Sequence, residues 1–116
     1  MIKVLVVDDE EPLRRLLNKE LSRKGFEVGV APDGKTALNL LKNHSYDVLL
    51  LDIVMPGMDG IAVMRKMKPD PSSPVIIVLT GKATVETAVE AMKNGAYDYL
   101  TKPYKLDELV IVINRA

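Results

Sequence analysis

The chain has no cysteine, no tryptophan and a single histidine, His44. Without cysteine there is no disulfide framework, no thiolate metal site and no thiol nucleophile. One histidine rules out multi-histidine zinc centres and removes most catalytic triads. Aromatic side chains are scarce: Phe26, Tyr46, Tyr97, Tyr99 and Tyr104 are the whole set. They do not interleave with basic runs as a base-stacking platform requires. An excess of either charge is also missing, because sixteen basic residues face sixteen acidic ones. With no global positive field to hold a polyanion, direct nucleic-acid binding by this chain is not expected. No apolar run approaches the ~18 residues that cross a bilayer. Met1-Ile2-Lys3-Val4 does not open a secretory signal. The expectation is a cytoplasmic protein without a membrane partner.

What is present is 116 residues, 47% of them hydrophobic and 28% charged. That is enough for one domain, residues 1–116, with a real core. Short apolar runs at residues 4–7, 26–30, 48–51, 75–79 and 97–100 are rich in Val, Ile and Leu. They read as strands covered on both faces, as in a parallel sheet. Between them lie helical spacings. Leu13, Leu16, Leu17 and Leu21 form one, stopped by Gly25. Val85, Ala88, Val89 and Met92 form another, closed by Asn94-Gly95, and Leu106, Leu109, Val110 and Ile113 a third. Weaker patterns follow Asp33-Gly34 (Ala37, Leu38, Leu41) and Asp59-Gly60 (Ile61, Met64, Met67), the latter ending before a proline- and serine-rich turn at 69–74. The β-branched run 110–113 would pass as a strand in isolation. Its spacing and the acids Asp107 and Glu108 favour a helix. Alternating βα units require right-handed crossovers and a parallel sheet with helices on both faces. In such sheets the site lies at the carboxyl ends of the strands.

Those ends carry Asp8 and Asp9, Asp52, Thr80, and Thr101-Lys102-Pro103. Two carboxylates 4 Å apart repel by about 1 kcal/mol in water and about 4 at an effective dielectric of 20. Either their pKa values rise or a cation sits among them. Oxygen ligands with room for water suit Mg²⁺ better than zinc. The chemistry allowed is phosphoryl transfer to a carboxylate. Asp52, at the tip of the central strand, is the best-placed nucleophile, and Asp8 and Asp9 would hold the ion. Lys102 supplies a fixed cation for the transferring group and Thr80 a hydroxyl donor.

The whole chain resembles the receiver domains of bacterial two-component response regulators. The resemblance rests on V-L-V-V-D-D-E at 4–10, L-L-L-D-I-V-M-P-G-M-D-G at 49–60, L-T-G at 79–81 and Y-D-Y-L-T-K-P at 97–103. It implies a flavodoxin-like α/β fold, a doubly wound (βα)5 sandwich with strand order 2-1-3-4-5. It also implies that Asp52 accepts a phosphoryl group from a phosphohistidine on a sensor kinase or phosphotransfer protein. Mg²⁺, for which Mn²⁺ can substitute, would be held by Asp8, Asp9, Asp52 and the Val54 backbone carbonyl. Thr80 and Tyr99 match the family's switch pair, Lys102 its phosphate-binding lysine, and the Lys102–Pro103 bond is expected to be cis. Gly81 leaves the phosphoryl site accessible, while Val54 and Lys82 are positions that tune the phosphoryl lifetime. Because valine cannot orient a water, slow self-hydrolysis is expected. Residues 85–116 correspond to the face that reports to an output domain or effector, or to a second copy in a phosphorylation-dependent homodimer. The motifs most resemble receivers of transcription activators. The helical pattern running to Ala116 reads as a receiver cut from a longer regulator, with a free-standing one as the alternative. A switch, not a turnover enzyme, is expected.

Each residue also has a plainer reading. Asp9, Glu10 and Glu11-Pro12 suit the start of a helix; Asp52, Thr80 and Lys102 taken singly are ordinary strand-end residues. Tyr99 taken alone would be packing, and His44 reads as a cation near a helix carboxyl end. Two other classes share parts of the pattern. A flavodoxin-type flavin carrier needs a phosphate-cradling loop after the first strand, where four acids (Asp8 to Glu11) stand instead. A haloacid-dehalogenase-type phosphatase needs an acid two places after its nucleophile; Glu10 stands two after Asp8 but off the apolar strand and with no threonine following, and Asp52 is followed by Ile53-Val54.

Overall fold

A computed structural model describes residues 1–67 and 71–116. Part of the expected turn at 69–74, Pro69 and Asp70, lies outside the described residues. The elements run β1 (Lys3–Val7), α1 (Glu11–Arg23), β2 (Glu27–Ala31), α2 (Gly34–Asn43), β3 (Val48–Leu51), α3 (Gly60–Lys66), β4 (Val75–Thr80), α4 (Val85–Lys93), β5 (Ala96–Thr101) and α5 (Leu106–Arg115). The sheet is parallel throughout, in the order β2-β1-β3-β4-β5. The strand bounds differ from the sequence reading by a residue at several ends, where the apolar run outlasts or falls short of the hydrogen-bond ladder.

The apolar runs are continuous because both faces of the sheet are covered. Alternate residues feed opposite cores, as the two-residue strand period demands. Leu5, Val7, Leu49, Leu51, Ile76 and Val78 pack under α2, α3 and α4. Val4, Val6, Val48, Leu50, Ile77 and Leu79 pack against Leu17 and Leu21 of α1 and Leu109, Val112 and Ile113 of α5. Each fully buried Val, Leu or Ile contributes about 1.5–3 kcal/mol relative to exposure. The 110–113 run is helical, since its burial follows the α5 face rather than a ladder.

Local chemistry sets the helix starts. Asp33 Oδ1 accepts from the Thr36 N–H at 2.7 Å and Asp59 Oδ1 from the Ala62 N–H at 2.8 Å. Thr84 and Thr87 form a reciprocal capping box on α4. His44 closes α2, its N–H donating to Leu40 O. α3 stops at Lys66, so Met67 is its cap rather than part of its face.

The structure departs from the pattern most at α4. The Val85, Val89 and Met92 stripe points to solvent, at 81%, 47% and 45% exposure, and Ala91 is the helix's one buried residue. Ala88 and Ala91 form a second, flatter apolar side, and that smaller side is the one that packs inward. Leu16 is likewise exposed, beside the buried Leu17. Between β4 and β5 the register shifts, pairing Ile76 with Ala96 and Ile77 with Asp98, so Tyr97 is left over as a bulge. Among the described residues no helix is long and apolar enough to cross a membrane.

Candidate functional site

The carboxyl ends of β1, β3, β4 and the edge strand β5 deliver side chains to one rim. Asp8 follows β1, and its N–H donates to Ala31 O; Asp52 follows β3, and its N–H donates to Val7 O. Thr80 ends β4 and is fully buried, and its carbonyl accepts from the Lys102 N–H at 2.9 Å. Asp8 and Asp52 are buried charges at 3% and 5% exposure, and Asp9 is exposed beside them. The three acids each offer a carboxylate oxygen within 4.8 Å of the others.

Lys102 bridges the buried pair. Its Nζ donates to Asp8 Oδ2 at 2.7 Å and to Asp52 Oδ2 at 3.1 Å. The other carboxylate oxygens take backbone donors: Asp8 Oδ1 the Glu10 N–H at 2.9 Å, Asp52 Oδ1 the Val54 N–H at 3.2 Å. Thr80 Oγ1 accepts from the Lys82 N–H at 3.2 Å. Burial pushes the Asp8 carboxyl above its ordinary value, more than Lys102 and the Glu10 N–H pull it down. Burial lowers the Lys102 ammonium, but its bonds and charge contacts with Asp8 and Asp52 outweigh that and leave it raised. A cluster of hard oxygens already organised around one cation is the donor set that suits Mg²⁺. Asp8, Asp9 and Asp52 are the side chains that fit it.

Lys102–Pro103 is a cis peptide bond. Val54 is half exposed at the rim. A Cβ added at Gly81 would meet only the Lys102 stem, at 3.8 Å, so the site is open there. Tyr99 is half-buried on the α4 side, and its hydroxyl is engaged with Thr87 Oγ1 at 2.7 Å rather than with the acids. The Lys82 side chain is exposed beside the rim.

Three contributors were not singled out from the sequence. Arg14 Nη1 donates to Asp8 O at 2.7 Å. Gly60 sits so close to the Asp52–Ile53 backbone that a Cβ would lie 2.3 Å from Asp52 O; its position directly after the capping Asp59 was the available signal. Tyr104 OH donates to Glu20 Oε1 at 2.6 Å, tying the segment after the cis bond to α1. A groove of about 1010 Å³ beside α2, touching Lys42, His44, Lys66 and Pro74, contains none of the rim residues.

Residues 4–114 match the family model described as "Response regulator receiver domain". The chain is 45% identical over 114 residues to the regulatory protein AtoC of Escherichia coli, covering 98% of this chain and 25% of AtoC. It is 39% identical to the response regulator MprA of a Mycobacterium species, covering 94% of this chain and 47% of MprA. It thus spans about a quarter to a half of the length of these relatives. Among solved structures it superposes on the response regulator TrrA of Thermotoga maritima, described in complex with Mg²⁺ and BeF, with a TM-score of 0.88 and 33% identity over 99% of this chain and 98% of that one. With the strand order, the acidic rim and a family match spanning all five strands, the chain belongs to the response-regulator receiver domains of two-component systems, akin to those of transcription regulators.

Proposed function

We propose that the chain is a phosphorylation switch in which Asp52 is the acceptor. Asp8, Asp9 and Asp52, with the Val54 carbonyl, hold Mg²⁺, and Mn²⁺ serves in its place. The observation that carries this is Lys102 Nζ lying between Asp8 and Asp52 at hydrogen-bond distance from both. An Asp52 carboxylate oxygen attacks phosphorus, forming an O–P bond as the P–N bond of the donor phosphohistidine breaks. The leaving imidazole keeps the electron pair and takes a proton from water. The bound ion supplies charge neutralisation for the acids and the phosphoryl oxygens. Lys102, released from Asp52, follows the new negative charge, and the Thr80 hydroxyl donates to it. TrrA, a relative at 33% identity, is described with Mg²⁺ and a beryllium fluoride, which supports this reading.

The phosphoryl group adds roughly −1.5 to −2 charge beside Thr80 and Lys102. That charge shifts the population of the face formed by residues 85–116, with Tyr99 moving as Thr80 moves. Coupling of about 1–3 kcal/mol changes partner affinity severalfold to a hundredfold. The donor is a sensor histidine kinase or phosphotransfer protein, in the cytoplasm. The reader is an output domain controlling transcription, an effector or a second copy of the chain. The protein catalyses its own phosphorylation and slow dephosphorylation and turns over no external substrate. Labelling by a small acyl phosphate tests the reading: Mg²⁺-dependent incorporation is expected in the wild type and none in Asp52→Ala. Equal labelling of the two would overturn the assignment.

A further inference from the structure

We propose that Arg14 is a positioning residue for ion binding, acting through the peptide bond between Asp8 and Asp9. This rests on the reading that those two acids hold the ion. Arg14 sits in the first turns of α1, its backbone N–H donating to Glu10 O at 3.0 Å. From there its half-buried side chain reaches back across the β1–α1 turn, and Nη1 donates to the Asp8 carbonyl at 2.7 Å.

The other polar groups of Asp8 are already engaged. Its N–H goes to Ala31 O, its Oδ1 takes the Glu10 N–H and its Oδ2 takes Lys102. The carbonyl held by Arg14 is the remaining one, and it belongs to the peptide that leads into Asp9. A peptide unit is planar, so fixing the direction of that carbonyl fixes the plane from which exposed Asp9 departs. Mg²⁺ demands near-ideal octahedral geometry, and its affinity therefore depends on how firmly each carboxylate is aimed. Arginine suits the task because its planar fork leaves nitrogens beyond the one bonded to Asp8. Its charge also reaches the carboxylate of Asp33, which is held below the usual range first by the Thr36 backbone N–H and to a lesser degree by the nearby Lys35 and Arg14.

The sign of the effect separates positioning from charge. A cation near a cation site opposes binding, so if Arg14 acted by charge alone its removal would tighten Mg²⁺. If it acts by aiming Asp9, its removal loosens Mg²⁺. The test is calorimetric titration of the full chain with MgCl₂, well below the melting temperature of each protein, with thermal melts run alongside. Arg14→Met is expected to raise the Mg²⁺ dissociation constant about tenfold, the scale seen when an outer-shell partner of a metal ligand is lost. Should Arg14→Met not fold, Arg14→Lys, which keeps the charge but not the fork, is expected to weaken binding in the same direction. An unchanged or tighter constant in the folded variant overturns the inference. Failure of the wild type itself to bind Mg²⁺ is a different result, and it overturns the underlying site reading as well.

Discussion

Tyr99 and Thr87 share a hydrogen bond of 2.7 Å, hydroxyl to hydroxyl, across the β5–α4 contact. Thr87 is also one half of the capping box, its Oγ1 accepting from the Thr84 N–H at 3.0 Å. A ring on the sheet is thereby tied to the first turn of a helix that buries Ala91 alone. The exposed ion pair from Arg65 to Glu90 is a second tie, from α3.

Thr87→Ala removes the Thr87 half of the capping box and the partner of Tyr99, a loss of about 1 kcal/mol. Amide exchange in α4 should accelerate about fivefold, and Tyr99→Phe should do less, because it leaves both halves of the capping box in place. Identical α4 exchange in Thr87→Ala and wild type would mean the tie is idle.

Gly60→Ala places a methyl against backbone that has nowhere to go, 2.3 Å from Asp52 O and 2.8 Å from Ile53 Cα. A loss of about 1–3 kcal/mol is expected in urea unfolding, with reduced acyl-phosphate labelling as Asp52 is displaced. Gly81→Ala is the contrast: its methyl meets the Lys102 stem at 3.8 Å, ordinary contact, so stability should barely change.

Adding Mg²⁺ should raise the melting temperature. At a hundred times its dissociation constant an ion bound only to the folded state contributes about 2.7 kcal/mol, roughly 10 °C for a domain of this size. Asp9→Asn should shrink that shift, and an undiminished shift in the variant would place the ion elsewhere.

Alkaline pH should weaken the fold through Tyr104. Burial first, then the hydrogen bond and charge of Glu20, hold its phenol above the ordinary value of 10.0. A raised folded-state pKa means this stabilisation is complete below pH ~10 and is lost as pH rises further, at no more than about 1.4 kcal/mol per unit and less with solvent screening. Urea midpoints from pH 8 to 11 should therefore converge for wild type and Tyr104→Phe; parallel curves would refute it.

Val54 is half exposed beside Asp52 and offers no side-chain group to hold a water. Val54→Asn should shorten the phosphoryl lifetime about tenfold, equivalent to about 1.4 kcal/mol off the hydrolytic barrier. A decay rate unmoved by the substitution would assign slow hydrolysis to something else.

The sheet was legible because strands buried on both faces leave continuous apolar runs, and the acids, Thr80 and Lys102 were legible because each ends such a run. What escaped is tertiary. The α4 stripe of Val85, Val89 and Met92 satisfies the helical spacing yet faces water, since the flatter side with Ala91 fits the sheet more closely. Arg14 lies six positions from Asp8, and no periodicity links a side chain to a carbonyl across a turn. Gly60 was signalled only as a glycine after the capping Asp59, and the Asp52–Ile53 backbone lying against it is a tertiary fact. The bulge at Tyr97 comes from a register change between two strands, which a single run of residues does not encode.

Asp8, Asp52 and Lys102 stand just beyond β1, β3 and β5, with Lys102 lying 94 positions from Asp8 and 50 from Asp52. The ammonium that pairs the two buried acids therefore arrives only when the edge strand β5 docks, a closure of high sequence separation and so a costly one to make.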